Sequence, residues 1–250
     1  MKQDKKLMLG MTLLFLITFV FFGTLIVTEK LAPLYTNKVK EKFTAYLTKK
    51  YKNNNEFTLE KVTYTHQKYE AKVTNKENED LYFTITYKDK KITDTYKKDY
   101  LEGHTLLTKL EKTLEKDIKD YLNQEVKITF PLTLNKYTKT VKKDLLNANP
   151  KKTNMYDISL TIKSVIDQTE ITNKITTLNN ELKSLNIIPN HYNITIKSKN
   201  DNDKLTIHNL TQKTIEKNIL FQITSDIITN KESNLLKNNN ITYEYINKGE

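Results

Sequence analysis

The chain is 250 residues long, carries a net charge of +11 and contains no cysteine, and all 41 of its basic residues are lysine. Disulfides, thiolate catalysis and iron–sulfur sites are therefore excluded. Four glycines occur in all, and their scattered positions exclude a Gly-rich phosphate loop, a dinucleotide fingerprint and a Gly-x-Ser-x-Gly elbow.

The chain opens MKQDKK and then runs uncharged through residues 7–27. As a helix rising about 1.5 Å per residue this run reaches roughly 31 Å, about the thickness of a bilayer's hydrocarbon core. A cleaved signal has a shorter apolar region and a small-x-small site. Here Ala32 is the small residue nearest such a site, and Pro33 directly after it disfavours cleavage. The expectation is a cytoplasmic n-region over 1–6, a transmembrane signal-anchor over 7–27, and a single-pass protein of the cell membrane with its bulk outside. Lys2, Lys5 and Lys6 abutting the run favour that orientation. Lys30, Lys38, Lys40 and Lys42 on the other side leave the local lysine count undecided.

Residues 34–52 predict a helix, with Val39, Phe43, Tyr46 or Leu47, and Lys50 or Tyr51 recurring at three-to-four spacing and lysines on the other face. Three strands follow over 57–66, 69–74 and 81–87. Tyr69/Ala71/Val73 and Leu81/Phe83/Ile85/Tyr87 alternate, so each strand buries one face. The first run slips phase between Leu59 and Val62, which predicts a bulge, and 75–80 is a polar loop. Residues 92–100 give a short strand or turn before Gly103. Leu107, Leu110, Leu114, Ile118 and Tyr121 then form a helical stripe, Val126/Ile128/Phe130 a strand, and Tyr137, Val141 and Leu145 a further helix. Residues 148–154 lack any apolar period and read as a linker.

Tyr156/Ile158/Leu160/Ile162 alternate as a strand. Asp167 with Glu170 three residues on marks a helix start, and the helix carries Ile171, Ile175, Leu178, Leu182 and Leu185. Tyr192/Ile194/Ile196 and Leu205/Ile207 are strands joined by a turn at 200–203. A helical segment over 212–236 and a strand through Ile241/Tyr243/Tyr245 complete the chain, although Ile219/Phe221/Ile223 also fits a strand. The order β-α-β-β-α-β predicts the ferredoxin-like split arrangement, with both helices on one sheet face and the other face solvated or docked on a partner. The expected fold class is thus α+β: an anchor, a helix-on-meander module over 31–147, a linker over 148–154, and a ferredoxin-like module over 155–250.

No pattern nominates a catalytic, cofactor or metal site. Asp94, Asp99, Glu102 and His104 form a polar cluster, but the spacing fits no calcium loop and Lys97 and Lys98 would repel a cation. Gly103 fits a turn leading into a helix. The four histidines are dispersed, and no cofactor is expected. Most tyrosines fall in phase with core positions; Tyr96, Tyr100 and Tyr245 are less easily placed, and are the candidates for partner contact. The lysine surplus has two readings, a solvated surface written by an A/T-rich genome or contact with a polyanion. Specific base readout leans on the guanidinium that this chain lacks, so nucleic acid is not an expected partner.

This layout resembles the small proteins of low-GC Gram-positive bacteria that carry one N-terminal membrane anchor and a lysine-rich extracytoplasmic domain. The helix and three strands of the first half are similar to cystatin-like helix-on-meander modules of that class. An Asn/Lys-rich eukaryotic parasite would write a similar composition. The anchor, the two mixed α+β modules and the lack of a catalytic motif lead to the expectation of a membrane-tethered, non-enzymatic interaction or scaffold protein of the cell envelope with a protein or anionic wall-polymer partner. The alternative is an envelope enzyme with dispersed carboxylates meeting in a cleft.

Overall fold

Val39, Phe43 and Leu47 recur every four residues on helix α1, Thr36–Lys50, and all three are buried. They cover a sheet of strands β1 (Phe57–Leu59), β2 (Thr63–Thr65), β3 (Lys68–Asn75), β4 (Tyr82–Lys88) and β5 (Lys91–Asp94). The computed structural model describes Met11 and residues 14–20, 32–51, 54–147, 155–198, 202–216 and 219–247. It is an α+β protein with one antiparallel and one mixed sheet. Two compact units divide between Tyr100 and Leu101, whereas the sequence placed the boundary at 148–154, a segment outside the described residues.

In the first unit the order is β1-β3-β4-β5, all antiparallel, with β2 also on β3. The single strand expected over 57–66 is two strands sharing one edge of β3. The break between them, at the phase slip after Leu59, lets Val62 turn into the core, where it is buried. Hairpins β2–β3 and β4–β5 turn on two residues each, His66-Gln67 and Asp89-Lys90, all at positive φ. That is the backbone a tight hairpin demands, here supplied without glycine. Ala71, Val73, Phe83 and Ile85 meet α1 in one core cluster, while Glu70, Lys72 and Thr84 alternate to the other face.

The second unit begins with helix α2, His104–Leu122. Gly103 precedes it at φ +70, and a Cβ there would stand 2.5 Å from the Cβ of Leu134, so the turn requires glycine on both counts. Strand β6 (Glu125–Thr129), helix α3 (Lys139–Leu146), strand β7 (Asp157–Lys163) and helix α4 (Gln168–Ser184) follow. Asp167 caps α4 as read from the sequence, its Oδ1 accepting from the Thr169 and Glu170 amides at 2.9 and 3.1 Å. Strands β8 (His191–Lys197) and β9 (Asp203–Leu210), helices α5 (Gln212–Glu216), α6 (Leu220–Ile228) and α7 (Asn234–Asn238), and strand β10 (Thr242–Asn247) complete it. The helix expected over 212–236 is therefore three short helices. Asn230 at positive φ ends α6, and Ser233 caps α7.

The element order β-α-β-β-α-β is observed, but the ferredoxin-like pairing is not. The sheet runs β10-β9-β8-β7-β6, with β7 and β8 parallel neighbours and every other pair antiparallel. A split arrangement would place the last strand beside the first. Here β7 already has β8 on one side and β6 on the other, so β10 can pair only at the far edge, on β9.

Of the apolar run 7–27, the described residues are Met11 and 14–20, helical and exposed; the remainder lies outside the described residues. Among the described residues no helix is long and apolar enough to cross a membrane.

Candidate interaction surface

The polar cluster around Asp94 resolves into a structural joint. Asp94 ends β5 with its side chain 6% exposed. Its Oδ2 accepts from Tyr46 Oη at 2.6 Å, Tyr51 Oη at 2.7 Å and Lys50 Nζ at 2.8 Å, and its Oδ1 accepts from the Tyr96 amide at 3.2 Å. Burial works against the charge, but the donors from Lys50, Tyr46, Tyr51 and the Tyr96 amide outweigh it and hold the carboxyl below its ordinary value. The joint ties the end of α1 to the sheet edge. The four donors commit both carboxylate oxygens of Asp94 to the joint.

Two of the three tyrosines nominated for partner contact are packed inward. Tyr96 and Tyr100 stack at 5.1 Å within one π-helical turn, Tyr96–Leu101, and pack against Tyr51, Phe57 and Phe83. Tyr100 Oη accepts from Asn75 Nδ2 at 2.8 Å, while Asn75 Oδ1 takes the amides of Glu77 and Asn78 that shape the β3–β4 loop. Tyr245 differs: it lies opposite Leu205 on edge strand β10 and is 47% exposed.

The enzyme reading needs two carboxylates close together in a cleft. Glu111 and Glu115 lie one turn apart on α2, but Glu111 Oε1 accepts from the Phe130 amide at 3.0 Å and Glu115 Oε1 from the Ile128 amide at 2.9 Å. They cap the outer edge of β6. Burial pushes the Glu111 carboxyl up, with the Phe130 amide opposing and Glu115 adding to it. A groove of about 340 Å³ between the end of α2 and α4 is lined by Glu170 and Glu181. Eleven residues of helix separate their backbones by roughly 16 Å, beyond the ~5–10 Å of a glycosidase-type pair.

The second sheet has one face backed and one open. Ile128, Ile158, Leu160, Ile162, Tyr192, Ile194, Ile196, Leu205 and Ile207 are buried on the face toward the helices, where Tyr192 Oη donates to Asn179 Oδ1 at 2.8 Å on α4. The alternate residues form the opposite face, exposed or half-buried apart from Thr206 at 7%. Strand register sets them in rows. Thr161, Thr195 and Thr206 are cross-strand neighbours on β7, β8 and β9, with Glu125 and Glu244 at the ends of that row. Thr195 Oγ1 and Thr206 Oγ1 lie 3.3 Å apart. Two residues along each strand, Lys163, Lys197 and Lys204 form a second row. At the other end His191 Nδ1 and Asp157 Oδ1 are 3.0 Å apart. The sequence showed each of these residues as a polar slot in an alternating strand. Their alignment into rows depends on register, which a single strand's pattern does not carry.

Fold and surface together define a helix-backed, open-sheet α+β protein. Compared with known proteins, the chain matches no family model, no curated protein and no solved structure.

Proposed function

We propose that the chain is a non-enzymatic interaction or scaffold protein of the cell envelope, tethered to the membrane by residues 7–27 with its bulk outside, and that the open face of the second sheet receives its partner. The observation that carries this reading is the polar face of strands β6 to β10, left uncovered by the helices on the other side. Antiparallel and mixed sheets tolerate a solvated face, but this one aligns like groups in rows. The commitment of Glu111 and Glu115 to backbone amides also supports a binding role over hydrolysis. The location is testable because the chain has no cysteine. A single cysteine introduced as Thr195→Cys should react with a membrane-impermeant maleimide on intact cells, and Lys2→Cys only after lysis. The reverse pattern overturns the placement of the face outside.

A further inference from the structure

We propose that the Lys163–Lys197–Lys204 row binds a linear, phosphate-bearing polyanion laid across strands β7, β8 and β9. This deepens the reading of the open face given above and rests on it.

Lys163 is paired in register with Lys197, and Lys197 with Lys204, so like charges sit directly opposite one another on adjacent strands. Such pairs destabilise a sheet, and strands about 4.8 Å apart bring three ammonium stems within roughly 10 Å. Among the described residues no carboxylate pairs with Lys197 or Lys204. An anion seated between neighbouring ammonium groups removes that repulsion for both.

The hydroxyls of Thr161, Thr195 and Thr206 stand beside the lysines, two residues or about 7 Å along each strand. Lysine gives three rotatable donors from a compact charge. The grid of three ammonium groups and three hydroxyls therefore suits a repeating tetrahedral anion better than a planar carboxylate. Glu125 and Glu244 flank the threonine row and not the lysine row, which keeps an anionic chain on the lysine side.

Five strands about 4.8 Å apart and strands of five to eight residues give a face of roughly 20 by 20 Å, or about 400 Å². A stable protein–protein contact takes about 800 Å² from each partner. A polymer one residue wide needs only a strip, so the face fits it without recruiting other surfaces.

The test is titration of the full-length protein in a nonionic detergent with linear inorganic polyphosphate at several salt concentrations. The expected result is binding that weakens with salt. K163Q/K197Q/K204Q should lose about tenfold or more in affinity and flatten the log–log salt slope by about 2. K112Q/K116Q/K119Q, which removes the same charge from exposed positions on α2, should stay within about twofold of wild type. K163R/K197R/K204R keeps the charge and should keep binding, and K197Q/K204Q should melt no lower than wild type because the repulsion across that cross-strand pair is relieved. Absence of wild-type binding, or an equal loss in the α2 variant, overturns the proposal. So does monophosphate binding as tightly as the polymer, which reveals an adventitious ion only, or tighter binding of duplex DNA, which reassigns the row to nucleic acid. If polyphosphate fails while a photo-crosslinker at Thr195 still finds a discrete partner, this inference falls and the reading of the face stands.

Discussion

Replacing Asp94 by Asn should destabilise the first unit far more than removing its cationic partner. Three donors converge on one oxygen of a side chain that is 6% exposed. With Asn, either the amide NH₂ points at those donors or the carbonyl stays and the NH₂ faces the Tyr96 amide. In each orientation at least one donor loses its acceptor. A hydrogen bond to a charged group contributes about 1.5–3 kcal/mol and a neutral one about 1, so neutralising each bond costs about 0.5–2 kcal/mol and three cost about 1.5–6 kcal/mol, a range that contains the ~3–5 of a broken buried pair. Lys50 lies at the exposed end, 47% accessible, where an ion pair is worth about 1 kcal/mol or less. The prediction is therefore asymmetric: D94N lowers the midpoint of the first unit's transition by roughly 10–20 °C, and K50M by a few degrees. Urea and thermal unfolding of the full chain, followed by near-ultraviolet tyrosine dichroism, reads this directly, since Tyr46 and Tyr51 are in the joint and the chain has no tryptophan. The pH dependence follows from the same geometry. Folding lowers the Asp94 proton affinity from an ordinary 3.8, so the unfolded chain binds more protons in acid. The Asp94 contribution is then complete above that value and fades as pH falls through the lower folded one. The gap between wild type and D94N should be constant from neutrality to about pH 5 and narrow below about pH 4. A D94N variant within about 0.5 kcal/mol of wild type at pH 7 refutes the reasoning, as does K50M costing as much.

Three further outcomes can be checked by the same unfolding measurements. G103A places a methyl 2.5 Å from the buried Leu134 Cβ at a positive φ, and should cost about 2–3 kcal/mol or prevent folding of the second unit. D89N/K90G supplies the residues that the positive-φ turn between β4 and β5 prefers and should gain about 0.5–1 kcal/mol; a loss would contradict the turn geometry. The hydroxyl of Tyr156 is buried without a partner among the described residues. Burial alone pushes its ionisation up, so Y156F should be neutral or gain about 1 kcal/mol, and a loss of more than that would reveal a partner.

Local pattern carried the elements well where packing repeats it. The four-residue spacing of Val39, Phe43 and Leu47, the alternation through β3, β4, β7 and β8, and the Asp167 cap each put one physical cause at fixed sequence offsets. Turns without glycine or asparagine were harder. His66-Gln67 and Asp89-Lys90 adopt positive φ because the flanking strand pairs force it, and neither dipeptide announces that. The fold of the second sheet was misread for a topological reason. The six-element order fits more than one pairing, and the strand that decides it, β6, lies before the proposed linker. Tyr96 and Tyr100 looked unplaced because they are out of phase with any helix or strand. A single π-helical turn is what brings them onto Phe57 and Phe83. The lysine and threonine rows were invisible for a different reason: they exist only once register sets β7, β8 and β9 side by side.

We propose that the open face of the second sheet, and not its helical side, receives a partner. Site-specific photo-crosslinking in intact cells tests this most directly, with the probe at Thr195 on the open face or at Thr113 on the exposed side of α2. A discrete adduct from Thr195 that is absent from Thr113 is the predicted result. Equal adducts from both positions, or none from Thr195, would contradict it.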